Sequence, residues 1–173
     1  MLSNLSFEAE KDLLIKGWMS HDARWFMAVA EHFGIDAANR LNQLVCRELG
    51  RVEMKRYMKT LGLSPATNLE EFLSLGKAAL TLYGSGLAEY EIETLDDQSY
   101  EMRFKRCFAY ENIVRAGIKD QYECGILARV QGWIDAQGLE HELDPPLGKC
   151  RRVLAKECSY TIKLKFHWPE RAP

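Results

Sequence analysis

The sequence has little that would mark a familiar catalytic machine. It has no Gly-rich phosphate loop, no GxSxG elbow and no HExxH pair, so nucleotide binding, serine hydrolysis and zincin chemistry have no support. It has no CxxC and no HxxxH, the close ligand pairs that lower the entropic cost of closing a structural zinc site. It has no internal repeat and no low-complexity tract. The opening stretch, MLSNLSFEAEKDLLIKGWM, carries early acids and no sustained apolar run, which reads as neither a signal peptide nor a membrane span. A net charge of −2 supplies no basic field for nucleic acid or an anionic membrane. These absences point to a cytoplasmic protein. There the five cysteines, an odd number, read as thiols or ligands rather than a disulfide framework.

What is present is a change of hydrophobic period. Residues 1–83 read as helix throughout. Residues 7–19 form one helix, and Ser20 or Asp22 caps a second that Gly34 stops. Asp36 opens a third, with Ala37, Leu41, Leu44 and Val45 at helical spacing and an end or bend at Gly50. Helix resumes to Gly62. Asn68, with Glu71 three residues on, resembles a capping box and starts the helix that runs to about Tyr83.

At Gly84-Ser85-Gly86 the period becomes two. Ala88, Tyr90 and Ile92 alternate with Glu89, Glu91 and Glu93; after a polar turn, Tyr100, Met102 and Phe104 alternate with Glu101, Arg103 and Lys105. The spacing predicts a hairpin with one buried face and a charged outer one. A helix over 108–116, a longer one over 122–137 with a stripe of Ile126, Leu127, Val130, Trp133 and Ile134, a short strand at Leu139–Leu143 and a last strand built on Tyr160, Ile162, Leu164 and Phe166 complete the order. Helices first and strands later argue α+β, with an antiparallel sheet packed against helices. The expected organisation is a helical region 1–83 and an α+β ligand-binding region 84–173, together one domain.

Two thiols sit at element ends. Cys107 closes the hairpin, and Cys124 falls in the expected first turn of the long helix, where the helix dipole favours thiolate. Cys158 continues the apolar face of the last strand, Cys150 sits in the basic stretch LGKCRR, and Cys46 fills a plain helical stripe. Core filler is the competing reading for each, because free cysteine packs as a small hydrophobe. A zinc or other transition-metal site drawn from Cys107, Cys124, Cys150 and Cys158 would be wholly non-local.

Among the histidines, His21 and His32 stand roughly 16 Å apart along one helix and cannot share a metal ion. His21 has Asp22 and Arg24 beside it and is a candidate base. His141 and His167 read as surface. Glu111 and Arg115 have the spacing of a helix ion pair.

The ordered set Cys107, Glu111, Gly117, Cys124, the long helix, Gly138-Leu139 and Cys158-Ser-Tyr-Thr-Ile resembles the L-2-amino-thiazoline-4-carboxylate hydrolase-like family. More distantly it resembles the four-vinyl-reductase domain and the vesicle-tethering transport-particle subunits of the same fold. The stretch His21-Asp22-Ala-Arg-Trp25-Phe26, together with Cys150, looks like an uncharacterised branch of that group. The resemblance covers residues 84–167 well and the N-terminal helices loosely. Phe108 stands where the hydrolases would carry proline, and Cys150 is an additional thiol.

The resemblance implies a small-molecule pocket and hydrolysis of a C=N or thiazoline-type bond. Cys124 would be nucleophile or metal ligand, Cys107 its partner, and Glu111 or His21 a proton carrier. A non-catalytic ligand or metal sensor and a dimeric interaction protein are the alternatives, the last using the helical half as a homodimer surface.

Overall fold

The computed structural model describes residues 5–84 and 86–166. The chain divides into two compact units, Met1–Asn42 and Gln43–Pro173. In the first, helix α1 runs unbroken from Phe7 to Phe33. Ser6 is its N-cap, the Ala9 N–H donating to Ser6 Oγ at 3.2 Å, and Glu8 and Glu10 in the first turn suit the dipole. The break expected at Ser20 or Asp22 does not occur. Without proline or a packing reason to stop, the helix continues, and Ser20 contributes its carbonyl to Arg24 Nη1 at 2.9 Å. Gly34, at φ +87°, ends the helix, as its position suggests.

Helix α2 spans Ile35–Leu61 and passes straight through Gly50. Helix α3 spans Leu69–Gly84. Its start is the expected capping box with a small shift: the Glu71 N–H donates to Asn68 Oδ1 at 2.9 Å, while Glu71 Oε2 accepts from the Thr67 N–H at 2.8 Å.

Then come β1 (Ala88–Thr94), β2 (Ser99–Cys107), α4 (Phe108–Arg115), α5 (Ile126–Ala136), β3 (Glu140–Asp144), a short helix α6 (Arg151–Ala155) and β4 (Cys158–Lys165). The four strands form one antiparallel sheet in the order β1-β2-β4-β3. The α+β expectation therefore holds.

The period-2 patterns land as they read. Tyr100, Met102 and Phe104 of β2 and Tyr160, Ile162 and Leu164 of β4 are all buried, and they join Phe72 and Leu73 of α3 and Leu127, Val130, Trp133 and Ile134 of α5 in one core. Each such side chain contributes on the order of 1.5–3 kcal/mol on burial. On the outer face Lys105 pairs with Glu91 and Arg103 with Glu101, the cross-strand and local pairing that keeps this face solvated.

Helix α5 is shorter than the stripe suggests. Residues 122–124 do not join it, because Glu123 pairs with Lys149 in an isolated antiparallel bridge, flanked by Cys124 N–H to Gly148 O at 2.8 Å and Cys150 N–H to Tyr122 O at 3.3 Å.

Gly50 is neither a stop nor a bend. A Cβ on it would meet the Arg129 carbonyl oxygen at 2.2 Å, and a Cβ on Gly132 would meet the Arg47 carbonyl oxygen at 2.1 Å. Helices α2 and α5 therefore cross backbone to backbone at this glycine pair. Arg47 clamps the crossing by donating to Asp135 at 2.6 and 2.9 Å. On the other side Arg129 Nε donates to Glu53 Oε2 at 2.7 Å and Trp133 Nε1 to the same oxygen at 3.2 Å, so the buried Glu53 carboxylate is fully partnered. Adding a methyl to a helical glycine normally stabilises by about 0.5–1 kcal/mol. Here the clash outweighs that gain, and Gly132→Ala is expected to destabilise by roughly 1–3 kcal/mol in urea unfolding, the usual range for overpacking. A neutral or stabilising result would show that the helices separate freely.

Candidate functional site

One enclosed hollow stands out among the described residues. It has a volume of about 20 Å³ and is lined by Cys107, Cys124, Cys150 and Cys158 with Phe104, Tyr110, Tyr122, Leu127, Arg151 and Arg152 among its walls. At that volume it has room for about one water molecule.

Cys107 reaches it through a register shift. Tyr90 pairs with Phe104 but Glu89 pairs with Arg106, leaving Lys105 as an extra residue in β2. Strict alternation from Phe104 would turn Cys107 toward solvent. The bulge reverses the phase past Lys105 and turns it inward. Cys158 lies directly opposite Phe104 on β4. Cys124 and Cys150 come from the two sides of the Glu123–Lys149 bridge, and Cys150 is also the residue before α6.

Arg152 braces the rim. It donates to the Phe104 carbonyl at 3.3 Å, also bonds the Lys105 carbonyl, and stacks over Tyr110 at 5.4 Å. Among the described residues, the buried Arg151 Nε and Tyr160 hydroxyl have no hydrogen-bond partner.

The electrostatics reverse one expectation. Cys124 does not lie in the first helical turn but precedes Gly125, the N-cap of α5. Burial pushes its thiol up to about 12, and the N–H groups of Leu127 and Ile126 only partly oppose this. Burial likewise lifts Cys158 to about 12, with Cys107 and Cys150 adding to the rise. Cys107 is raised too, again chiefly by burial, although the N–H groups of Tyr110 and Ala109 draw it back. None of these three thiols is an activated nucleophile.

The proposed proton carriers do not supply what the thiols lack. Glu111 is half-exposed and held by Arg106, whose Nε and Nη2 donate to its two oxygens at 2.8 and 3.4 Å. It does not pair with Arg115, which instead bonds Asn112 at 2.9 Å. Arg106 wins because the bulge places it beside the start of α4. His21 sits exposed on α1 with its Nδ1 3.7 Å from Asp22, too far for a hydrogen bond, and is not among the lining residues.

Nor does the sulfur set hold a metal. Among the described residues no group of three or more His, Cys, Asp or Glu side chains is placed to bind an ion, which corrects the metal-binding reading.

His141, read as surface, has a side chain only 9% exposed and lies 4.0 Å from Asp135. Burial lowers its pKa, against the pull of that carboxylate. Exposed His32 fits its place beside Gly34, and His167 lies outside the described residues. Sequence reasoning missed Arg151 and Arg152 as lining residues; α6 is too short to leave a helical stripe in the pattern.

The chain belongs to a family of unknown function, DUF6125, whose model matches residues 5–158. In structure it is similar to a trafficking protein particle complex subunit 3 from Naegleria fowleri covalently bound to palmitic acid. The TM-score is 0.61 at 16% identity, over 94% of this chain and 99% of that one. No curated protein matches in sequence. The shared fold agrees with the transport-particle side of the resemblance. The hydrolase reading is overturned: the fold neighbour is a trafficking-complex subunit, and burial raises the Cys124 and Cys158 thiols away from the nucleophilic form.

The raised Cys124 thiol contributes to the loss of stability at alkaline pH. The folded group keeps its proton to about pH 12, whereas an unfolded thiol loses it near 9. Its contribution is complete below pH 9 and is lost as pH rises toward 12, at about 1.4 kcal/mol per pH unit. Urea unfolding between pH 7 and 11 is expected to show stability falling above pH 9, with a shallower fall in Cys124→Ala. Equal slopes in the two proteins would refute the assignment.

Proposed function

We propose that the protein is a non-catalytic association module that works as a subunit, with a second copy of itself as the partner. The observation that carries this is α1. None of the 27 described residues of that helix is buried, yet Phe7, Leu14 and Trp25 are 76%, 76% and 62% exposed. They are spaced seven and eleven residues apart, about two and three helical turns, and so share one face. A helix gains most of its stability by packing such a face, and a row of large apolar side chains left in water marks an interaction surface. In the second unit Val45 and Val52, one heptad apart on α2 and both exposed, add a further apolar pair.

The fold neighbour is itself one subunit of a trafficking complex, which supports the interaction reading. The kinship with the thiazoline-carboxylate group is then one of fold, without its chemistry. That neighbour carries palmitic acid, but the ligand-carrier alternative finds little room here, since about 20 Å³ holds a water and not an acyl chain. No described helix is long and apolar enough to cross a membrane, and the site of action we infer is the cytosol.

Light scattering on the purified chain tests the proposal. At tens of micromolar the protein is expected to run at twice its 19.9 kDa mass, and the pair Leu14→Glu with Trp25→Glu is expected to run as a monomer with unchanged helical circular dichroism. A wild-type monomer at that concentration overturns the homodimer.

A further inference from the structure

The exposed face of α1 carries a finer pattern than its three anchors show. From Phe7 to His32 the positions on that face follow one another by alternate steps of four and three residues. The mean step of about 3.5 residues is the spacing at which two helices hold one seam together along their length. Phe7, Leu14 and Trp25 are the exposed anchors of the seam, and Lys11 and Trp18 are half-buried. His21, Ala28 and His32 complete it, all exposed. Of the other exposed apolar side chains of the helix, Phe33 borders the seam's end, its ring 6.5 Å from that of His32. Leu13 and Met27 stand about 120° and about 160° around the axis from Phe7, away from the seam.

Two copies of such a seam can meet in parallel or antiparallel. In parallel, each position meets itself. Lys11 then opposes Lys11, a like-charge contact among apolar neighbours that disfavours the pairing. Trp18 and Trp25 crowd their own copies, while Ala28 leaves a gap against Ala28. Antiparallel pairing about the point between Met19 and Ser20 exchanges these partners. Leu14 meets Trp25, Trp18 meets His21, Phe7 meets His32 and Lys11 meets Ala28. Each large ring then faces a smaller side chain, the alternation by which facing layers fill space. The Lys11 stem lies along the alanine with its ammonium free to reach water. The exchange point lies beside the midpoint of the helix, which spans Phe7–Phe33, so the pairing uses nearly all of its length. It also closes on itself, because the same patch serves both copies.

We infer that two copies associate through antiparallel α1 helices, with the two-fold axis between Met19 and Ser20 and Leu14 of each copy seated against Trp25 of the other. The inference rests on the self-association proposed above and adds its face, direction and register.

The test places the photo-crosslinking residue p-benzoylphenylalanine at position 14, and separately at position 25, of the full-length chain. Each protein is irradiated at tens of micromolar, and the product of doubled mass is digested with trypsin. The probe at 14 is expected to link to the peptide that begins at Trp25, and the probe at 25 to the peptide of residues 12–16. Leu13→Glu and Met27→Glu are expected to keep the doubled mass in light scattering. A dimer in which position 14 links to its own peptide, links elsewhere, or gives no link from either probe overturns the register while self-association stands. Loss of the dimer in Leu13→Glu with wild-type circular dichroism overturns the choice of face. A wild-type chain that scatters as a monomer and gives no product of doubled mass overturns both the register and the self-association beneath it.

Discussion

The contact on which the second unit depends is the approach of two helix backbones at Gly50 and Gly132. With no Cβ on either residue, the carbonyls of Arg47 and Arg129 come close to the opposing chain, and that closeness sets where everything else on α5 lies. The Arg47–Asp135 and Arg129–Glu53 pairs sit beside the crossing and fix its register. With α5 so placed, Leu127, Val130, Trp133 and Ile134 reach the sheet face formed by Tyr160, Ile162 and Leu164. The thiol-lined hollow is a consequence of the same placement, because its walls are the start of α5, the end of β2 and the start of β4.

Within that frame the site is defined more by desolvation than by charge. A helix N-terminus lowers a thiol's pKa by a modest, short-range effect, whereas full burial acts on the whole ionised form. At Cys124 the second wins and the thiol stays protonated. Largely buried sulfurs around space for one water differ chemically from a nucleophile beside a base. They favour a structural or slowly modified centre over a rapid hydrolytic one.

Much of the fold was legible from pattern. The switch of period at Gly84, the alternation of Tyr100, Met102 and Phe104, the Asn68 and Glu71 start of α3 and the Trp133 stripe all report local burial, and burial is what a pattern encodes. The misreadings share a different cause. Ser20 resembled a cap, but a cap residue stops nothing unless the chain on one side is unfit for helix. Gly50 resembled a stop, but its missing side chain serves a neighbour 82 positions away. Glu111 was matched to Arg115 by spacing and is taken by Arg106, which the bulge carries into reach. Of the site, the raised pKa of Cys124 and Cys158 and the roles of Arg151 and Arg152 depend on enclosure by distant segments and leave no local trace.

The extra residue at Lys105 makes β2 a strand with two phases. Up to Phe104 the even positions face the core, and beyond Lys105 the odd ones do. Arg103 and Lys105 therefore face solvent while the sulfur at the strand's end faces inward, because the two sets of side chains obey opposite parities. Flattening the bulge at unchanged length would turn the Arg106 guanidinium into the hollow and the Cys107 thiol out of it, so the irregularity at Lys105 decides which side chain ends the strand there.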